Sequence, residues 1–384
     1  MSFNQQETAR YARHYSLPKF GLEGQRKLKN ASVLCIGAGG LGSPVLLYLA
    51  AAGVGKIGIV DFDVVDDSNL QRQVLYGVDD VGKPKAETAK KRLLNLNPHI
   101  EVEVHPVQLT SDNAIELFKQ YDVVADGTDN FPTRYLVNDA CVFTGKPNVY
   151  ASIFQFEGQV SVFNYEFEDG KRGPNYRDLF PDPPPPGLVP NCAEGGVLGV
   201  LPGIIGSMQA AEVIKVITGI GEPLVGRFFT LDAASFETRT LKIRKDPTNP
   251  ISGENPTQTE LIDYQMFCGI GQDENEDEEV KEISVSELKE LLDSKADVQV
   301  IDVREPYEYE IVNIGAELIP LNSILGEVEK ISKDKQVVIH CRSGKRSANA
   351  IQLLEVEHGF ENLYNLKGGV LAYADEIDTS LTKY

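Results

Sequence analysis

An apolar run, Ala31–Ile36, ends in Gly37-Ala38-Gly39-Gly40-Leu41-Gly42 and passes into a helical pattern over Ser43–Val54. A second apolar run, Ile57–Val60, comes next and ends in Asp61. This succession of strand, turn, helix and strand restricts the fold more than any other feature of the chain. Two short buried strands with a helix between them lie parallel, because the helix returns the chain to the end of the sheet where it started. Glycines at the turn allow a sharp reversal and close approach of the backbone to another group. The helix then begins with free N–H groups and the positive end of its dipole, which suit a phosphate. Asp61, about twenty residues on, is placed to accept a hydrogen bond from a ribose hydroxyl. The expected ligand is a nucleotide, held by Gly37, Gly39, Gly40, Gly42 and Asp61.

The strand–helix alternation continues. Tyr121–Ala125 reads as a third buried strand, followed by Asp126-Gly127-Thr128-Asp129-Asn130 and a helix from about Thr133. Pro181–Pro190 is too rich in proline for helix or central strand and reads as an exposed, extended crossover. A helical pattern returns over Gly203–Thr218. Apolar residues almost vanish near Gln272–Glu282, and blocks of like charge rarely pack, so residues 271–282 read as an acidic linker. Apolar strands resume at Val298–Val303 and Gln336–His340. At 384 residues the chain is expected to hold two α/β domains, 1–270 and a smaller one at 283–384.

Charge narrows the function. With 57 acidic against 37 basic residues the formal net charge is −20, which argues against nucleic acid as a partner. Met1–Phe20 lacks the apolar core of a signal peptide, and the apolar runs near Val45–Gly55 and Val197–Met208 are too short and glycine-rich to span a bilayer. A cytoplasmic location without membrane contact is expected. Cys35, Cys141, Cys192, Cys268 and Cys341 are scattered, odd in number and form no CxxC pair, so no disulfide framework is expected. Cys35 and Cys141 fall within apolar patterns and read as core residues.

Beyond the second strand the chain departs from a nicotinamide or flavin site. Ser68-Asn69-Leu70-Gln71-Arg72-Gln73 sets amides around a guanidinium, and Lys85 comes later in GKPKAETA. Two cations suit a triphosphate, whose charge must be neutralised before an oxygen nucleophile can reach the α-phosphorus. Asp129 closes a parallel strand, where open α/β sheets place ligand groups, and its carboxylate suits Mg2+. With RYARHYSLP (Arg10–Pro18), GAGGLG, DGTDN and NCAEGGVLGVLPG (Asn191–Gly203), these stretches resemble the MoeB/ThiF group of ubiquitin-activating-like enzymes over roughly residues 8–270.

That resemblance implies a Rossmann-like adenylation domain, which uses ATP and Mg2+ to adenylate the C-terminal Gly-Gly carboxylate of a ubiquitin-like sulfur carrier of the MoaD or ThiS kind. It implies that Gly40, Asp61, Ser68, Asn69, Leu70, Gln71, Arg72, Lys85, Asp129 and Asn130 hold ATP and the metal. It also implies a homodimer, in which Arg13 reaches from one protomer into the other's site. Cys192 matches the acyl- or disulfide-forming cysteine of the group; the alternative is a packing residue. Many members carry zinc on two CxxC pairs, whose positions here hold Asn175, Asp178, Asn249 and Ser252. One carboxylate, two amides and a hydroxyl bind zinc too weakly, so a zinc-free domain is expected, with hydrogen bonds or packing in place of the metal.

The second constellation is His340-Cys341-Arg342-Ser343-Gly344-Lys345-Arg346-Ser347, which succeeds the strand and opens a helical pattern through Leu354. A cysteine there lies among backbone N–H groups at a helix N-terminus, and Arg342, Lys345 and Arg346 add positive charge; both effects favour a thiolate or persulfide anion. The loop resembles the rhodanese active site, with Asp302–Tyr309 (DVREPYEY) and Lys367-Gly368-Gly369-Val370 as its usual flanking segments. Related phosphatases have one more residue between Cys and Arg, so Cys341 to Arg346 favours sulfur over phosphate. Asn313-Ile314-Gly315 departs from the His and Pro of many relatives, and a local loop change without loss of chemistry is expected. A MoeB–rhodanese fusion implies sulfur from thiosulfate or a cysteine desulfurase, passed as a Cys341 persulfide to carriers of molybdopterin, thiamine, cysteine or tRNA thiolation pathways. Two rivals stand beside it. A nucleotide-binding oxidoreductase explains GAGGLG and Asp61 but leaves SNLQR, DGTDN and the Cys341 loop unused. A non-catalytic rhodanese-type sensor leaves the nucleotide set unused.

Overall fold

Ser32–Ile36 (β1) buries Val33, Leu34, Cys35 and Ile36 on both faces, as a central parallel strand must. The computed structural model describes residues 3–184, 196–269 and 280–383. Cys192, residues 185–190 of the proline-dense crossover and residues 271–279 of the acidic run lie outside the described residues. Two units divide the chain, residues 1–272 and 273–384.

In the first unit β1 is joined by Lys56–Val60 (β2), Glu101–His105 (β3), Val123–Asp126 (β4), Asn148–Phe154 (β5), Glu157–Phe163 (β6), Arg227–Asp232 (β7) and Thr238–Lys242 (β8). The eight strands run in the order β3-β2-β1-β4-β5-β6-β7-β8. The first five are parallel, and β6, β7 and β8 extend the sheet antiparallel. The helices Gly42–Ala52 and Leu201–Thr218 cover one face, where Val45, Leu46, Leu49 and Val213 pack on Val33, Cys35, Ile57 and Ile59. Ala114–Phe118 and Phe131–Thr144 cover the other, against Leu34, Ile36, Val124 and Tyr150. Cys35 and Cys141 are core residues as expected, and burial pushes the Cys35 thiol up to about 12. Tyr121, expected at the start of a strand, precedes β4. Its ring fills the space above Gly58, where an added Cβ would lie 2.4 Å away, and its hydroxyl meets His105 and Glu103.

Asn175, Asp178, Asn249 and Ser252, expected to share hydrogen bonds or packing, meet. Asn175 Nδ2 donates to Ser252 Oγ at 2.7 Å, and Asn249 Nδ2 donates to Asp178 Oδ1 at 2.8 Å. Asn249 Oδ1 accepts the N–H groups of Ile251 (3.0 Å) and Ser252 (3.1 Å). Beside them Arg177 and Asp139 form a fully buried pair that Tyr264 also reaches. Cys268 is buried nearby, its thiol raised by desolvation to about 11.

The second unit is an all-parallel sheet of Glu282–Ile283 (β9), Val298–Asp302 (β10), Glu317–Leu318 (β11), Gln336–His340 (β12) and Leu363–Leu366 (β13), in the order β11-β10-β12-β13-β9. Residues of β10, β12 and β13 alternate between two apolar clusters, one on each face. No helix among the described residues is long and apolar enough to cross a membrane.

Replacing Asn249 by Ala strips a donor from Asp178 and an acceptor from two amides. Unfulfilled buried partners of this kind cost about 1–3 kcal/mol. The expected outcome is a lower urea midpoint for the first unit, and an unchanged midpoint would show that the quartet does not hold the two segments together.

Candidate active sites

The strand order of the first unit reverses between β1 and β4, and the crevice at their carboxyl ends is where open α/β sheets take ligands. Gly37 leaves β1 with φ +88°, and a Cβ on Gly42 would stand 2.2 Å from the Gly37 carbonyl oxygen. Only glycine permits that contact. Asp61 closes β2 and accepts from the N–H of Ala38 (2.8 Å) and of Asp63 (2.9 Å). Burial holds its carboxyl above the usual carboxylate range, against the pull of those two amides. Asp61 therefore shapes the glycine loop directly. Tyr76, which the sequence did not single out, donates its hydroxyl to the Ala38 carbonyl at 2.8 Å. Gln73 is buried against Gly39, and its Oε1 has no hydrogen-bond partner among the described residues. A close glycine cradle and an unpaired amide oxygen fit a nucleotide.

The cations and amides gather around this loop. Ser68 gives its N–H and hydroxyl to Asp66 Oδ1 at 2.9 and 2.5 Å, opening the short turn Asp67–Asn69. Leu70 packs on the core, and Arg72 Nη1 donates to the Ser68 carbonyl at 3.2 Å. Lys85 is buried, with Nζ 3.1 Å from Asp63 Oδ2. Gly40 faces Pro202, and a Cβ on Gly199 would meet Gln71 Oε1 at 2.3 Å. A Cβ on Gly206 would meet the Leu41 carbonyl oxygen at 2.7 Å. The small residues of the 196–206 segment thus let it close directly onto the glycine loop. Arg13 is exposed on the helix Ala12–Tyr15, flanked by two anchors. Tyr11 fills the space over Gly53 and accepts from Asn97 Nδ2 at 2.8 Å, and His14 Nδ1 meets Gln25 Oε1 at 2.8 Å.

Asp129 is exposed beyond β4, and no ion pair to it forms among the described residues, which leaves a carboxylate suited to a divalent cation. Asn130 points an amide at Asp129 Oδ1 (3.4 Å) and also caps the helix Phe131–Thr144 through the Thr133 N–H at 3.0 Å, a structural duty that its place in the sequence does not announce. Beneath this loop lies a buried polar group. Asp126 Oδ1 accepts the N–H (3.0 Å) and hydroxyl (2.7 Å) of Thr128. Gln209 Nε2 bridges the carbonyls of Asp126 (2.7 Å) and Val149 (2.8 Å). Arg134 reaches Ser152 Oγ at 2.9 Å. Burial raises the Asp126 carboxyl, and the Arg134 charge opposes that.

In the second unit Cys341 succeeds β12 and is buried. The Gly344 N–H donates to Cys341 Sγ at 3.1 Å, and Gly344 takes φ +98° to aim it. A Cβ on Gly369 would strike the carbonyl oxygens of Cys341 (2.5 Å) and Arg342 (2.6 Å), which explains the glycine pair of the closing segment. Lys345 and Ser343 are exposed, and Arg342 is half-buried. Arg346 is held by Glu308, which receives its Nη1 and Nη2 at 2.6 and 2.7 Å. Glu308 comes from the DVREPYEY segment, so the flanking motif pins the loop. Asp302 and Arg304 of the same segment form a fully buried pair.

His340 is also fully buried; its Nε2 stands 3.7 Å from Asp302 Oδ2, and neither ring nitrogen has a hydrogen-bond partner among the described residues. Burial lowers its pKa from 6.5, against the raising effect of Asp302. A lowered histidine contributes stability above its ordinary pKa and loses it as pH falls through the folded value. The second unit is therefore expected to melt lower at pH 5 than at pH 7, with a flatter dependence in His340→Leu. Parallel pH dependences by calorimetry would assign the acid sensitivity elsewhere.

Known proteins match this arrangement. The ThiF family model covers residues 11–251, and the rhodanese-like domain model covers residues 284–376. The probable adenylyltransferase/sulfurtransferase MoeZ of Mycobacterium tuberculosis is 51% identical over 387 residues, spanning 100% of this chain and 97% of its own length. The sulfur carrier protein adenylyltransferase of Thermus thermophilus is 56% identical over 70% of this chain and 100% of its own. Adenylyltransferase and sulfurtransferase MOCS3 of Drosophila yakuba is 42% identical over 98% of this chain and 85% of its own. The crystal structure of E. coli MccB with ATP superposes with a TM-score of 0.55 at 26% identity, over 65% of this chain and 75% of that one. The chain belongs to the ThiF family and carries a rhodanese-like domain after its ThiF region.

Proposed function

We propose that this chain is an adenylyltransferase and sulfurtransferase that activates the C-terminal Gly-Gly carboxylate of a ubiquitin-like sulfur carrier with ATP and then supplies sulfur from Cys341. The observation that carries the reading is the coexistence, in one chain, of a glycine cradle ringed by Arg72 and Lys85 with a buried Cys341 whose sulfur accepts a backbone N–H. An oxidoreductase reading gives Arg72, Lys85 and the Cys341 loop nothing to do.

The first unit lowers the barrier to attack by one anion on another. The carrier carboxylate attacks the α-phosphorus, pyrophosphate leaves, and a mixed anhydride remains. Arg72, Lys85 and Arg13 from a partner protomer neutralise phosphate charge, Lys85 exchanging Asp63 for a phosphate oxygen. Asp129 and Asn130 would hold Mg2+, which when bound offsets phosphate charge further. Asp126, Gln209 and Arg134 keep the Asp129 loop in place. The outer sulfur of a Cys341 persulfide then attacks the acyl carbon and AMP leaves. A reductant, Cys192 or an external thiol, cleaves the S–S bond and frees the carrier thiocarboxylate. Thiosulfate or a cysteine desulfurase loads the persulfide. The homodimer rests on the exposure of Arg13, and the domain limits 1–270 and 283–384 with an acidic linker between them belong to the same proposal. So does the absence of zinc, supported by the hydrogen-bonded quartet. Stoichiometric zinc in untagged protein, removable by EDTA with loss of stability, would contradict it.

Asp129→Ala is expected to cut carrier-dependent ATP–pyrophosphate exchange by about 100-fold or more and to spare thiosulfate–cyanide sulfur transfer. Equal loss of both activities in a folded protein would end the division of labour. Cys341→Ala is expected to keep the exchange and abolish thiocarboxylate. Mass spectrometry of the carrier decides it, since a normal yield of the product with oxygen replaced by sulfur would remove Cys341 from the reaction.

A further inference from the structure

Ser347 lies in the first turn of the helix Lys345–His358, fully buried. Its Oγ stands 3.4 Å from Cys341 Sγ, 2.7 Å from Asn365 Oδ1 and 3.0 Å from the Gly344 carbonyl oxygen. A hydroxyl has one proton to give, and here three acceptors surround it. Asn365 reaches in from β13 and is 5% exposed, on a strand otherwise apolar at Leu363 and Leu366. Burying two polar side chains in such a shell is costly unless they satisfy each other. They do, and the hydroxyl's other neighbours are the Gly344 carbonyl and the sulfur.

We propose that Ser347 is a catalytic hydrogen-bond donor to Cys341 Sγ in its anionic form, and that Asn365 is the positioning residue that holds the hydroxyl for it. The inference rests on the sulfur-transfer reading above. When the sulfur is protonated, S–H points to Ser347 Oγ and the hydroxyl donates to Asn365 Oδ1. When the sulfur is an anion, the hydroxyl turns its proton to Sγ and joins the Gly344 N–H, 3.1 Å away, as a second donor. Sulfur transfer passes through that anion twice. In loading, the Cys341 thiolate attacks the outer sulfur of thiosulfate; a new S–S bond forms, the old one breaks, and sulfite leaves with its electron pair. In unloading to cyanide, the carbon attacks the outer sulfur of the persulfide, thiocyanate forms, and Sγ leaves as thiolate. Neither step consumes a proton or an outside oxidant, so the hydroxyl acts by stabilising charge.

The full-length protein is assayed with thiosulfate and cyanide across pH, and the rate of Cys341 alkylation by iodoacetamide is followed by mass spectrometry of its peptide. In Ser347→Ala the alkylation profile is expected to move up by about one pH unit and kcat to fall about tenfold, with KM for thiosulfate within about twofold, since a hydrogen bond to a charged group is worth that much. Ser347→Thr, which keeps the hydroxyl, is expected to restore both. Asn365→Asp offers the hydroxyl an anionic acceptor, moves the profile the same way, and supplies the readout if the alanine variant loses its fold. Wild-type profiles and kcat in a folded Ser347→Ala or Asn365→Asp would overturn the proposal. A wild-type chain that transfers no sulfur but whose alkylation still depends on Ser347 would remove the sulfur-transfer reading and leave this hydrogen bond standing.

Discussion

At the carboxyl end of a central parallel strand in each unit, backbone touches backbone where no side chain fits. Gly42 sits on the carbonyl of Gly37 just past β1, and Gly369 sits on the carbonyls of Cys341 and Arg342 just past β12. A Cβ at either place would come within 2.2 to 2.6 Å of an oxygen. At Gly42 the contact lets β1 turn almost at once into a helix whose first N–H groups face the strand end; at Gly369 it seats the helix Gly369–Glu376 on the cysteine loop, where the N–H groups of Val370 and Leu371 donate to the carbonyls of Cys341 and Arg342 at 2.9 and 3.1 Å. In the first unit the cradle that results suits phosphate. In the second it braces the loop in which Gly344 turns its N–H to a sulfur. Both chemistries depend on that close approach.

Tight turns need support from below, and buried polar groups provide it. Asp126, Thr128, Gln209 and Arg134 fix the loop that ends in Asp129. Asp302 with Arg304, and Glu308 with Arg346, fix the loop that holds Cys341. Buried ion pairs add little net stability, but losing one partner strands a charge and costs about 3–5 kcal/mol. They act as positioning devices, consistent with their place beside the residues proposed to react.

The parts legible in the sequence are those whose signal is local. β1, the helix after it and β2 announce themselves by apolar runs and glycines, and β12 with its cysteine loop does the same. The antiparallel extension was not legible. Every residue of β8 is exposed, so Thr238–Lys242 reads as surface, and β6 and β7 alternate too briefly to stand out. Residues that support the sites from a distance were silent as well. Gln209 acts on a carbonyl 83 residues away and Tyr76 on one 38 residues away. Arg346 was visible as a cation, but its partner Glu308 lies 38 residues earlier, and the pairing was not legible. The quartet Asn175, Asp178, Asn249 and Ser252 was a different case: hydrogen bonds among them could be expected, because the chemistry of the four side chains leaves little else for them to do.

On the proposed function, sulfur that crosses from Cys341 to an activated carrier must wait for the anhydride. The direct measurement is a single-turnover chase: the full-length protein is loaded with sulfane-labelled thiosulfate, freed of excess donor, and mixed with a purified Gly-Gly carrier with or without ATP. Label is expected to leave the Cys341 peptide and appear at the carrier C-terminus only when ATP is present. Label that stays on Cys341 with ATP and a carrier that is adenylated, or that reaches the carrier without ATP, would contradict the coupling of the two chemistries in this chain.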